Sequence, residues 1–272
     1  MNVCIELKNY YNVVGGKLTP YTIDCPISDS KNWRRPAVII VPGGAYEHVS
    51  KREGAPVASH FLAHGFQAFV LEYLTATEGV RYPEELHELA AAADYVKKHA
   101  DEFRINKDEI FVVGFSAGGH LTANLAVDYT AVSEIVGEKI DCKIKAVGLC
   151  YPVISAELGH TRSHNNLLSG YTDEERCNLL KVLNLDKCVT KKTVPAFIWT
   201  TATDGTVPAI SSLKYAQALA ENGIKYELHI YPEGDHGSST CDAEVNDKSN
   251  EKNKQWIENC VQFFRLFTVE KY

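Results

Sequence analysis

The stretch Ile110-Phe111-Val112-Val113-Gly114-Phe115-Ser116-Ala117-Gly118-Gly119-His120 decides the fold. Its first four residues form a short, continuous apolar run bounded by glycine, the mark of a strand buried on both faces. The run passes without a linker into G-x-S-x-G, and Ala117 to Asp128 then reads as a helix. Strand, sharp turn and helix with a serine at the apex form the context of a nucleophile elbow. Small flanking residues let the strand and helix approach the turn, and the serine backbone is expected to be strained.

Outward from the elbow, similar units recur. Buried-strand runs are read at 37–41, 66–73, 144–150, 195–201 and 226–231. Helices are read at about 55–64, from Pro83 at the first helical position, at 212–222 and at about 251–268. In the helix after Pro83, Leu86, Leu89, Ala93, Val96, Ala100 and Phe103 step by three and four, an amphipathic stripe. Residues 1–28 alternate around Gly15-Gly16 and read as a hairpin or short edge strands. Strands alternating with helices predict an α/β fold with a mainly parallel central sheet flanked by helices. The alternation breaks at 152–192. That segment is read as a small insertion near the C-terminal ends of the strands, a cap or a pocket wall within one domain spanning 1–272.

A nucleophilic serine needs a base, and the base needs an orienting carboxylate. On this type of scaffold they follow in the order Ser, acid, His. Asp204 lies just past the run 195–201, in Asp204-Gly205-Thr206-Val207-Pro208, and His236 just past the last strand, in Gly234-Asp235-His236-Gly237. Both positions face the crevice where open α/β sheets bind ligands. Asp235, Glu233 and Asp242 compete as the acid, and His120 and His48 as the base. Asp235 ranks below Asp204 because a side chain adjacent to His236 normally points away from its ring. The oxyanion of a tetrahedral intermediate needs preorganised N–H donors. Ala117 supplies one from the start of the helix, and the Pro42-Gly43-Gly44-Ala45-Tyr46 loop the other, with Gly44 first choice and Gly43 second. Tyr46, Phe115, His120 and Tyr151 are candidate pocket walls. A base of this kind predicts a rate that falls with pH through the imidazole range, ~6.5 for a free side chain.

The 272 residues are 45% hydrophobic and 23% charged, and they carry a net charge of −7. A chain this long can bury about 70–75% of its unfolded surface, so no staple or metal is needed to make a core. The acidic balance disfavours nucleic acid and anionic membranes as partners. No apolar stretch approaches membrane-spanning length, and the N-terminus lacks a signal-peptide pattern, so a cytoplasmic protein is expected. Among the eight cysteines there is no CxxC spacing, and no HExxH occurs, so no metal site or cofactor is expected.

With Val41-Pro42-Gly43-Gly44-Ala45-Tyr46, Gly114 to His120, Cys150-Tyr151-Pro152-Val153, Pro195 to Trp199, Asp204 to Pro208 and Glu227 to Tyr231 leading to His236-Gly237, the chain resembles the α/β-hydrolase superfamily. Within it the chain is similar to the esterase/lipase branch that includes acetylxylan esterases and related carbohydrate acetyl esterases. Pro42 stands where HGGG-type enzymes carry His. The resemblance implies an α/β-hydrolase fold, Ser116 as nucleophile with Asp204 and His236 as partners, and no cofactor. It implies a serine esterase acting on small ester substrates, with acetylated oligosaccharides preferred. The alternatives are another serine hydrolase of this fold (peptidase, thioesterase or lipase) or a non-catalytic binding protein. A homo-oligomer stays open.

Overall fold

The computed structural model describes residues 4–26, 32–132, 139–246 and 249–269. Eight strands form one sheet: β1 (Ile5–Glu6), β2 (Lys17–Tyr21), β3 (Arg35–Val41), β4 (Gln67–Glu72), β5 (Ile105–Phe115), β6 (Ala146–Cys150), β7 (Ala196–Thr201) and β8 (Tyr226–Tyr231). Their spatial order is β1-β2-β4-β3-β5-β6-β7-β8. The first two pairings, β1 with β2 and β2 with β4, are antiparallel, and the rest are parallel. The N-terminal edge pair is the hairpin-like element expected around Gly15-Gly16.

The helices are α1 (Ala55–Ala63), α2 (Glu84–Lys98), α3 (Ser116–Val127), α4 (Tyr129–Val132), α5 (Arg162–Leu167), α6 (Asp173–Leu183), α7 (Ile210–Glu221) and α8 (Glu251–Arg265). The central strands are apolar at consecutive positions because each face meets its own layer. In β3, Ala37, Ile39 and Val41 join the layer of α2, α3 and α7, while Val38 and Ile40 join that of α1 and α8. On the second side Phe111 of β5 stacks on Phe264 of α8 at 4.4 Å between centroids, and Trp199 of β7 stacks on Trp256 at 5.4 Å. Full burial of one such side chain stabilises by about 1.5–3 kcal/mol.

Two boundaries depart from the periodicity. The stripe beyond Lys98 is not helical: Ala100 and Phe103 lie in a turn that closes with Ile105 N–H donating to the Ala100 carbonyl at 2.9 Å. That turn passes through Arg104 at φ 54, which redirects the chain into β5. Strand β5 begins five residues before the apolar run, because its polar start pairs Ile105 with Arg35 at the rim before a register shift.

Residues 152–192 form α5, α6 and connecting turns, and they pack on what surrounds the elbow. Asn166 Nδ2 donates to the Ala45 carbonyl at 2.8 Å, Arg162 pairs with Glu47, and Tyr82 N–H donates to the Leu167 carbonyl at 3.0 Å. Among the described residues no helix is long and apolar enough to cross a membrane.

Candidate active site

Strands β3, β5, β6, β7 and β8 all end on one edge, which brings the Pro42–Tyr46 loop, Ser116, Tyr151, Asp204 and His236 to one place. Ser116 directly follows β5 and opens α3 at φ 51, a left-handed conformation that costs a non-glycine residue on the order of 1–3 kcal/mol. The surrounding backbones hold it there. A Cβ at Gly118 would collide with the carbonyls of Val41 and Pro42, and one at Gly114 with the Gly118 carbonyl and the Thr122 hydroxyl. The turn therefore closes only because those side chains are absent.

Ser116 Oγ lies 2.8 Å from His236 Nε2, and His236 Nδ1 lies 2.7 Å from Asp204 Oδ2. Nδ1–H donates to the carboxylate, which leaves Nε2 to accept from the serine hydroxyl. The Asp204 side chain is 1% exposed and that of His236 16%. Asp204 Oδ1 accepts the N–H groups of Thr206 and Val207, each at 2.8 Å. The competing groups lie elsewhere: Asp235 and Glu233 are exposed, Asp242 pairs with His60, and His48 is exposed. The His236 loop is tied to β7 and α8. Thr201 Oγ1 donates to the Gly234 carbonyl at 2.6 Å and Asn253 Nδ2 to that of Glu233 at 2.9 Å. The Tyr151 ring sits edge-on to the His236 ring at 5.0 Å.

The Pro42–Tyr46 loop, the expected source of an oxyanion donor, differs from expectation at one residue. Gly43 is buried, and its N–H donates to Glu53 Oε2 at 2.7 Å, so it has no donor left for a substrate oxygen. Gly44 remains. It is partly exposed at φ 128, and its N–H has no acceptor among the described residues. A Cβ there would strike the His48 carbonyl. Ala45, also partly exposed and at φ 56, presents a second unclaimed N–H that its sequence position does not single out. Ala117 N–H lies in the first turn of α3, where amides lack an intrahelical acceptor and the helix dipole favours an anion.

The four pocket-wall candidates are a correction. Tyr46, Phe115, His120 and Tyr151 are each at most 1% exposed and, apart from the Tyr151 ring edge against His236, spend their contacts on the scaffold. Tyr46 O–H donates to His120 Nδ1 at 2.9 Å, and His120 Nε2–H donates to the Leu183 carbonyl at 2.9 Å. Burial, helped by the neighbouring His164, pushes His120 down to about 3, so its ring is neutral. It clamps α3 to the end of α6 behind the elbow. Phe115 packs against Trp256 in the layer beneath. Aromatic rings beside the elbow, or just past the ends of β3 and β6, look like walls, but these side chains are buried in the packed layers.

Glu53 carries no sequence signal, and only the fold singles it out. It sits in a 3-10 turn (Lys51–Glu53) ahead of α1, is 3% exposed, and accepts from both Gly43 N–H and Tyr151 O–H. A lone acid between Arg52 and Gly54 has no periodic context, so nothing in the sequence separates it from a solvated loop residue. Among the described residues no three His, Cys, Asp or Glu side chains group as a metal site.

The model of the BD-FAE family matches residues 23–219, a span that holds the Pro42–Tyr46 loop, Ser116 and Asp204. The chain belongs to the BD-FAE family. Its resemblance to acetylxylan esterases also stands: the acetylxylan esterase of Xylanibacter ruminicola is 29% identical over 207 residues, 74% of this chain and 40% of that protein. Endo-1,4-beta-xylanase B of Butyrivibrio fibrisolvens is 34% identical over 217 residues, 78% of this chain and 34% of that protein. The chain thus spans between a third and two-fifths of the length of these two relatives. Over the whole chain, the structure is similar to the acetyl ester-xyloside bifunctional hydrolase from Caldicellulosiruptor lactoaceticus, with a TM-score of 0.83 at 31% identity, covering 97% of this chain and 96% of the other. The fold is that of the α/β hydrolases, as its BD-FAE membership and the mostly parallel eight-stranded sheet agree.

Proposed function

We propose that this chain is a serine carboxylic-ester hydrolase that removes short acyl groups, acetyl foremost, from carbohydrates. The observation that carries the reading is the continuous line Ser116 Oγ, His236 Nε2, His236 Nδ1, Asp204 Oδ2, with spacings of 2.8 and 2.7 Å at the apex of a strained turn. In the proposed reaction Ser116 Oγ attacks the ester carbonyl while His236 takes its proton. His236 then returns the proton to the leaving alcohol, and the acyl group stays on Ser116. Water attacks the acyl-enzyme by the same route and releases the acid. Asp204 holds the imidazole tautomer, and the N–H groups of Gly44 and Ala117 receive the oxyanion. No cofactor enters the scheme.

The carbohydrate part of the reading is supported by the acetylxylan esterase and acetyl ester-xyloside hydrolase relatives. We read residues 1–272 as one domain with 152–192 as a wall of the site. We place the chain in a reducing, cytoplasmic setting.

The test is hydrolysis of p-nitrophenyl acetate, butyrate and octanoate, alongside acetylated xylo-oligosaccharides, by wild type and Ser116→Ala. The expected outcome is cleavage of the short esters and the sugar acetates, with kcat reduced at least ~10³-fold in Ser116→Ala. Cleavage of nitrophenyl esters alone removes the carbohydrate assignment. A rate unchanged in Ser116→Ala removes the mechanism.

A further inference from the structure

We infer that Glu53 is a positioning residue for the oxyanion site, a buried carboxylate that ties the donor loop to the segment carrying His236. The inference rests on the esterase reading above and deepens it. Glu53 Oε2 accepts Gly43 N–H at 2.7 Å, and Oε1 accepts Tyr151 O–H at 2.7 Å. Tyr151 Oη in turn accepts Ser239 N–H at 2.9 Å, and Ser239 Oγ donates to the Arg52 carbonyl at 2.7 Å, next to Glu53 in the chain. One side chain therefore joins three segments: the loop after β3, the turn after β6 and the loop after β8.

Each of these segments is bent into a conformation that needs holding. Gly44, Ala45 and Tyr46 stand at φ 128, 56 and 58, Tyr151 at φ 37, and Ser239 at φ 52. Strained backbone of this kind persists only where the surroundings over-determine it. Turning the Gly43 N–H inward onto Glu53 leaves the next amide, that of Gly44, on the partly exposed side of the loop. The contact to the elbow is close: a Cβ placed on Gly43 would stand 2.8 Å from the Ser116 Cβ and 2.8 Å from the Phe115 carbonyl. The second arm acts on the base. Tyr151 presents its ring edge to His236, and its hydroxyl stays protonated because burial, together with the Glu53 charge, raises it well above its ordinary value.

The energetic case for function is the isolation of the carboxylate. Glu53 is 3% exposed, and among the described residues it forms no salt bridge. An ionisable group held in the interior without a counter-ion is costly and serves folding poorly compared with an apolar residue. Here its two acceptor atoms meet donors on the loop after β3 and the turn after β6, and Tyr151 carries the link on to the loop after β8. A glutamine offers one acceptor, not two. Its oxygen can keep Gly43 N–H, but its NH2 then faces a Tyr151 Oη already occupied by Ser239 N–H.

The test compares wild type, Glu53→Ala, Glu53→Gln and Tyr151→Phe on p-nitrophenyl acetate, with every rate divided by the number of sites labelled to completion by an organophosphonate. Glu53→Ala is expected to lower kcat per labelled site ~10²-fold with KM held within ~3-fold, the pattern of lost transition-state stabilisation. Glu53→Gln is expected to lie near ~10-fold, and Tyr151→Phe to fall between wild type and Glu53→Ala. A purely structural role would lower the labelled fraction and the unfolding midpoint but leave kcat per labelled site at the wild-type value, and that result overturns the inference. If Glu53→Ala does not fold, an undiminished kcat per site in Glu53→Gln overturns it equally. Failure of the esterase reading is recognised separately, in wild type alone: no labelling of Ser116 and no ester cleaved, in which case the inference falls with it.

Discussion

His120 shows how far a side chain's role can lie from its position in the chain. Four residues after Ser116, it is a natural competitor for the base, yet it accepts Tyr46 O–H and donates to the Leu183 carbonyl in full burial. Removing a ring that satisfies two buried partners leaves both unpaired, so His120→Ala is expected to destabilise the fold by about 2–4 kcal/mol. Urea unfolding measures this. A substrate-lining histidine would instead raise KM with the midpoint unmoved. Ser116, Asp204 and His236 are different in kind: each stands just past a strand end, and the chain order already groups the three that the fold joins by hydrogen bonds.

The elbow is a contact between elements, not a property of one residue. Its glycines are where β3, β5 and α3 meet backbone to backbone. Gly118→Ala would drive a methyl group into the Val41 and Pro42 carbonyls, neither of which is a flexible side-chain end. It is expected to cut soluble yield and lower stability by about 2 kcal/mol or more. Gly205→Ala is the matched control. Nothing lies within 4 Å of a Cβ there, and its effect on the unfolding midpoint should correspond to less than about 0.5 kcal/mol. Circular dichroism melts of the two variants read the contrast, and equal losses would remove the steric account. The insertion is also an inter-element matter: α5 reaches Ala45 and Glu47, and the end of α6 receives His120.

Across the molecule, two sets of buried titratable groups oppose each other. Glu85 is fully buried with neither carboxyl oxygen bonded among the described residues, and burial pushes it up to about 8. Burial likewise pushes Glu88 up to about 7, although it accepts Leu74 N–H. In the folded chain both keep a proton that an unfolded carboxyl releases above ~4.5, so the stability they contribute is full at low pH and is lost as pH rises toward 8. The histidines run the other way. Burial holds His120 near 3 and His164 near 4, so their contribution is full above ~6.5 and is lost as pH falls through those values. Stability is therefore expected to peak in mildly acidic solution and to decline toward pH 8. One pK unit is about 1.4 kcal/mol, so Glu85→Gln should exceed wild type at pH 8.5 by on the order of a few kcal/mol and lose that advantage at pH 5. Urea midpoints at the two pH values decide this, and a pH-independent difference would show that Glu85 is not the group responsible.

The apolar runs of β3, β5 and β7, the G-x-S-x-G spacing and the order Ser116, Asp204, His236 are legible in the chain itself. They are local or sequential: burial on both faces forces consecutive apolar residues, and a tight strand-to-helix turn forces glycine. Parallel strands, joined by crossovers, then carry the residues after each strand to one edge. The direction of the Gly43 N–H, the inward turn of Tyr46, His120 and Tyr151, and the burial of Glu53 leave no such trace. Each depends on groups far away in the chain, such as Tyr151 meeting Glu53 across 98 residues and His120 meeting Leu183 across 63. Side-chain direction and hydrogen-bond partnership are settled when layers pack, because a buried donor or acceptor must then find whichever complement the packed layers put within reach.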